Sequence, residues 1–166
     1  MYKINDLVMY KRDVCRIKDI KTNSLNGNQY YVMVPLTDES LIIDTPVENR
    51  LGYIKDLISL DEVKSLINEI PSLEPFENID DKNIEFYYKN AIYNGTHKDL
   101  IRVIKSSYIR NSNRVKNNKK ISEKDDKYFK LAEKYLYTEF GCVLNMSFDE
   151  VKDYILKEVE KNLKTT

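Results

Sequence analysis

The chain has 166 residues, enough for one ordinary domain or two small ones, with 42% hydrophobic and 33% charged residues, a globular balance. No stretch approaches the ~18 consecutive apolar residues of a membrane helix, and Met1-Tyr2-Lys3-Ile4-Asn5-Asp6 lacks the basic-then-apolar pattern of a secretory signal, so a cytoplasmic protein is expected. Lys plus Arg and Asp plus Glu balance at 27 each, yet the charge is unevenly spread: Arg102 to Lys120 contains no acid, and Asp61 to Asp81 is mostly acidic.

The first fifty-odd residues read as strands. Leu7–Tyr10 and Val14–Ile20 are short and β-branched, separated by a tight polar turn. Asn26-Gly27, both tolerant of positive φ, is a hairpin signal leading into Tyr30–Val34. Leu41–Thr45 follows, Pro46 limits its use as a central strand, and Gly52–Lys55 supplies a last short strand. Four to five strands joined by short turns predict an antiparallel meander closed into a small barrel, since closure removes exposed edges. A module of roughly 55 residues buries only a modest core.

Beyond Asp56 the apolar period becomes helical. Ser59-Leu60-Asp61-Glu62 and Ser147-Phe148-Asp149-Glu150 are capping boxes, Thr96 with Asp99 is the aspartate form, and Ser122 with Asp125 marks a further start. Matching stripes run through Val63, Leu66, Ile67 and Ile70, through Leu100 to Tyr108, through Tyr128 to Phe140, and through Val151 to Leu163. A less regular helix is expected over about Lys82–Tyr93, with the Pro71–Glu77 stretch as a connection. The fold class is therefore α+β: a barrel over residues 1–56, then an all-α domain of about five helices over 57–166.

Catalytic constellations are hard to assemble. With four glycines there is no phosphate-cradling loop, and His97, the single histidine, reads as a surface residue at the start of a helix. Cys15 and Cys142 are isolated and read as small buried hydrophobes. Asp80-Asp81 and Asp125-Asp126 hold the acid for a cation site in principle, but the second pair is explained by the helix dipole. No enzyme activity, metal or cofactor is expected. The basic set Arg102, Lys105, Arg110, Arg114, Lys116, Lys119 and Lys120 is the candidate nucleic-acid contact, placed at a helix end and in a loop between Tyr108 and Ser122.

In order and spacing these segments resemble the CarD/CdnL family of transcription regulators. Tyr2–Tyr10 is similar to that family's opening, Val14–Ile17 to its second strand, Tyr30–Val32 to its third, and Pro46–Asn49 and Gly52–Lys55 to the elements after it. Asn94-Gly95 with Leu100–Ile104, and Ile121–Lys124, resemble two of its helix starts. The resemblance runs nearly end to end. It implies a Tudor-like (SH3-like) barrel that binds the RNA polymerase β subunit by edge-strand pairing, through Lys21, Asn23, Leu25, Ile43, Asp44 and Thr45, and a monomeric protein whose helical domain stabilises promoter DNA in the open complex. An adaptor that never touches DNA is the alternative. Four features depart from the family: Asp44 stands where an arginine is usual; the glycine usual near Asp13-Val14 is missing and that turn is shorter; the chain has no Trp, the family's DNA-wedging tryptophan falling near Asp80-Asp81 with Phe76 or Ile79 the available substitutes; and the loop between Tyr108 and Ser122 is longer than usual.

Overall fold

A computed structural model describes residues 1–164 of the chain, the side chains through Lys161. The side chain of Leu163, the last position of the expected stripe, lies outside the described residues. The chain divides into two compact units, Met1–Leu57 and Ile58–Thr166.

The first unit is a five-stranded antiparallel sheet: β1 (Leu7–Tyr10), β2 (Asp13–Thr22), β3 (Gln29–Pro35), β4 (Ile43–Pro46) and β5 (Ile54–Lys55), in the order β4-β3-β2-β1-β5. Alternate residues Val8, Cys15, Ile17, Tyr31, Met33 and Ile54 meet in its core, the period-2 pattern of a half-buried sheet. A bulge between Ile17 and Asp19 shifts the β2–β3 register, and Asp19 to Thr22, which lie past the end of β1, pair with β3 alone. The β2–β3 connection is wider than a two-residue hairpin turn. Asn23 accepts from Leu25 through its side chain and from Gly27 through its carbonyl, while Gly27 takes the expected positive φ.

The expected closure into a barrel does not occur. β4 and β5 lie at opposite ends of the sheet and share no ladder. The reason is local. Lys11 donates to the Tyr53 carbonyl, so in the alternating antiparallel pattern the backbone groups of Ile54 face away from β1. Asn49, itself at positive φ, claims them: its Nδ2 donates to the Ile54 carbonyl at 2.9 Å and its Oδ1 accepts from the Ile54 amide at 3.0 Å. One carboxamide thus occupies the place where a closing strand would bond.

The second unit holds five helices: α1 (Leu60–Glu69), α2 (Ile84–Asn94), α3 (His97–Lys116), α4 (Glu123–Leu144) and α5 (Phe148–Lys164), with a 3-10 turn at Ile70–Ser72. The helices begin where the start signals place them, although at Ser59 and Ser147 only the serine half of the expected capping box forms. Ser59, Ser122 and Ser147 each accept from an amide of the first turn, and Thr96 with Asp99 forms the complete reciprocal box. Gly95 permits that last start, because a Cβ there would stand 2.5 Å from the Ala91 carbonyl oxygen and 2.6 Å from an Asp99 oxygen. Ile67, Tyr88, Ile92, Leu100, Leu136 and Phe140 centre the core. One boundary differs from expectation. α3 continues through Lys116, so Arg110, Arg114 and Lys116 are helical and the connection shrinks to residues 117–122. The Asn- and Ser-rich composition of 111–113 argued for a loop; partners on the packed face override it.

Candidate functional site

Two surfaces carry the expected contacts, and each is built within its own unit. The first is the outer edge of β4. Val47 donates to the Gln29 carbonyl at 3.0 Å, which sets the phase of the β3–β4 ladder: Ile43 and Thr45 turn their backbone groups toward β3, Asp44 and Pro46 away from it. Pro46 is therefore tolerated, since the amide it lacks would have pointed outward. The Ile43 and Thr45 side chains face the sheet core, with Thr45 buried, while Asp44 is exposed. Ile42, just before the strand, is 66% exposed. Beside this edge a cleft of about 740 Å³ is lined by Tyr10, Tyr30, Asp44, Thr45, Glu48 and Tyr53.

The other half of the expected docking set lies elsewhere. Lys21 sits on β2 paired with Tyr30, and Asn23 and Leu25 are in the β2–β3 turn, with Leu25 95% exposed. These three are not on the β4 edge. The β2–β3 arm has its own unpaired side, because no strand follows β1 along Asp19–Thr22.

The second surface joins the end of α3 to the start of α4. Its basic residues divide sharply. Arg102 donates to the Glu74 carbonyl at 3.0 Å, pairs with Asp99, and lays its guanidinium 4.3 Å over the Phe76 ring. Lys105 donates to the Leu73 carbonyl at 2.8 Å and to that of Ile70, closing the end of α1 and its 3-10 extension, and burial pulls its ammonium below the usual value. Arg110 donates through Nε to both oxygens of Asp125 at 3.2 Å and through Nη2 to Asp81. Arg114 reaches the second Asp81 oxygen at 3.4 Å. Four of the seven expected DNA contacts are thus spent holding the helical unit together. Lys116, Lys119 and Lys120 are exposed and have no side-chain partner among the described residues.

Asp125 is the hub of this cluster. It is fully buried, accepts from the Tyr88 hydroxyl at 2.6 Å, and faces Arg110. Burial first, then the hydrogen bond to Asp125, pushes the Tyr88 phenol well above its ordinary value. Asp81 is the opposite case, 68% exposed at its side chain yet clamped. The hydrogen bond and charge of Arg110, with lesser help from Arg114 and Lys124, hold its carboxyl below the usual range. Lys124 adds a 2.9 Å bond to the Asp81 carbonyl.

The remaining expectations are quickly placed. Phe76 and Ile79, the possible substitutes for a wedging tryptophan, pack against the helical core, and the Phe76 amide donates to Ser106. His97 is not a free surface residue. Its Nε2 lies 2.7 Å from an oxygen of buried Glu139, whose other oxygen accepts from the Ile58 amide at 2.8 Å. Cys15 is buried, and burial pushes its thiol up to about 12. Among the described residues no group of three His, Cys, Asp or Glu side chains is placed to hold a metal ion, and no helix is long and apolar enough to cross a membrane. Sequence reasoning missed Asp81, Tyr88, Lys124 and Asp125 as one unit; the only local signal, Asp125 at the third helical position, was fully accounted for by capping. No protein-family model matches the chain, and no curated protein matches it.

Proposed function

We propose that this chain is a cytoplasmic transcription regulator that docks on the RNA polymerase β subunit through its N-terminal sheet and brings its helical unit to promoter DNA. The observation that carries the reading is the outer edge of β4, where Asp44 and Pro46 turn their backbone groups away from β3. An extended segment of the polymerase adds there by β-augmentation, its main chain bonding Asp44 and the Leu41-Ile42 stretch, its side chains reaching the adjoining cleft. The resemblance to CarD-like regulators in the order of segments points to the same partner. On the helical unit, Lys116, Lys119 and Lys120 supply sequence-independent phosphate contacts.

A specific observation favours a second reading. Arg102 and Lys105 are tied to backbone carbonyls, and Phe76 and Ile79 are packed, so the helical unit offers little of a DNA-wedging apparatus. In that reading the chain is a polymerase-bound adaptor without DNA contact.

Retention on immobilised β subunit tests the common premise. Asp44→Pro removes an outward amide without touching the β3 ladder, and is expected to abolish retention while leaving the fold intact. Retention unchanged by Asp44→Pro sinks docking at this edge, and no retention of the wild type sinks both readings. Where β is retained, reversal of Lys119 and Lys120 to Glu separates the two. Weakened, salt-sensitive promoter complexes support DNA contact; unaltered ones support the adaptor.

A further inference from the structure

Three cations of the helical unit converge on one residue, Asp81, two of them on its exposed carboxylate. Arg110 and Arg114, one helical turn apart on α3, each take one oxygen of Asp81, and Lys124 of α4 holds the Asp81 main-chain carbonyl at 2.9 Å. Asp81 belongs to the short turn before α2, fastened by Asn83 and Ile84 amides on the Asp80 carbonyl. The inner side of Arg110 is fixed independently by buried Asp125, so the guanidinium keeps its position whatever lies on its outer side.

The two sides of this cluster differ in what holds them. Asp125 is out of water and carries a phenol hydroxyl as well as Arg110. The Asp81 side chain is 68% exposed, so water and solutes reach the carboxylate, whereas the Arg110 and Arg114 side chains are only 23% and 32% exposed and stay in place. The arrangement is a rigid pair of guanidiniums with an ammonium beside them, around an anion that stands open to solvent. A phosphate group carries more oxygen acceptors than a carboxylate, and Arg binds it with paired donors.

We propose that Arg110, Arg114 and Lys124 form a binding site for a backbone phosphate of nucleic acid, and that Asp81 occupies it in the free protein as an internal competitor. Phosphate enters by displacing the carboxylate from the outer face of Arg110 and Arg114, while the Asp125 and Tyr88 side stays closed. The device lowers affinity for stray nucleic acid in solution and releases full affinity where high local phosphate density, as on DNA held beside a docked protein, outcompetes one carboxylate. The identity of the physiological ligand rests on the reading of the helical unit as DNA-proximal; the anion site itself does not.

The test uses the full chain and two probes. Anisotropy of a fluorescent 20-base-pair duplex is followed against salt for wild type, Asp81→Asn and Asp81→Asn/Arg114→Gln. Freeing two cations is expected to tighten binding about tenfold or more at 0.1 M salt and to steepen the log–log salt slope by roughly two, with the double variant, which keeps only Arg110, losing about half of the gain in slope. In parallel, inorganic pyrophosphate is titrated while the Arg110 Nε–Hε NMR resonance is observed. Asp81→Asn is expected to shift it at concentrations that leave wild type unmoved. Should Asp81→Asn fold poorly, Asp81→Ser takes its place. Equal duplex affinity and slope in wild type and variant overturns the competitor role, even if Lys119 and Lys120 prove to bind DNA. Absence of any duplex binding defeats the DNA reading alone, and the pyrophosphate arm then decides the site: an unmoved Arg110 resonance in the variant overturns it.

Discussion

Replacing Asp125 by Ala should be among the most damaging single changes in the helical unit. The carboxylate is fully buried, accepts from Tyr88 at 2.6 Å and from Arg110 at 3.2 Å through both oxygens, and packs at the first turn of α4. Its loss strands the Tyr88 hydroxyl, itself fully buried, at a cost of about 1–3 kcal/mol. Arg110 suffers less, because it is partly exposed and retains Asp81, so the charge is not left wholly unpaired. Adding the lost charge-assisted bonds gives an expected destabilisation of about 3–4 kcal/mol, within the range for breaking one partner of a buried pair. Tyr88→Phe removes a donor but leaves Asp125 its arginine, for about 1–2 kcal/mol. The two changes share a bond, so the double variant should cost less than the sum by about 1–2 kcal/mol. Urea unfolding followed by far-ultraviolet circular dichroism, fitted to the helical transition at constant slope, measures all three. A loss below about 1 kcal/mol for Asp125→Ala, or strict additivity with Tyr88→Phe, would refute the hub.

Three further outcomes follow from the geometry. Gly95→Ala forces a methyl against the Ala91 carbonyl and the Asp99 side chain, and should cost about 1–3 kcal/mol by thermal melting, where a neutral result would show that the Thr96 box shifts freely. Cys15, whose thiol burial raises to about 12, should resist a thiol reagent at pH 8 until the sheet unfolds when tested in a Cys142→Ser background, since Cys142 is only half-buried; rapid reaction there in native conditions would contradict its burial. Burial also raises the carboxyl of Glu133, against the pull of Lys152. A folded value above the unfolded one means that the charged form costs stability above the folded value and that the cost fades as pH falls through it. Glu133→Gln is thus expected to raise the urea midpoint at pH 8 and to lose that advantage at acid pH, and a lower midpoint at pH 8 would show that the Lys152 pair outweighs burial.

Much of the fold was legible because its signals are local. A serine or threonine three residues before an acid announces a helix start, and the pairing of Thr96 with Asp99 needs only neighbours in the chain. The open sheet was not legible, because it depends on whether Asn49 or another strand reaches Ile54, a choice between alternatives that look alike in sequence. The basic cluster was visible as charge but not as structure. Arg110 and Arg114 find Asp81 about thirty positions upstream, and no pattern in 102–120 distinguishes them from Lys119 and Lys120, which have no side-chain partner among the described residues. Composition counts charges; only the fold says which are already spoken for.

Asn49 also bears on how copies of this chain meet. The sheet has one margin closed by a side chain, at β5, and one left open, at β4. Were both open, the β4 margin of one molecule would fit the β5 margin of the next, a head-to-tail contact with no symmetry to end it, and such contacts propagate as filaments. The Asn49 carboxamide takes the outward backbone groups of Ile54, and Asn49→Ala, which frees them, is expected to make light scattering rise with protein concentration where the wild type stays clear. The same asymmetry leaves a guest strand the β4 margin and the free side of Asp19–Thr22, but not the β5 margin.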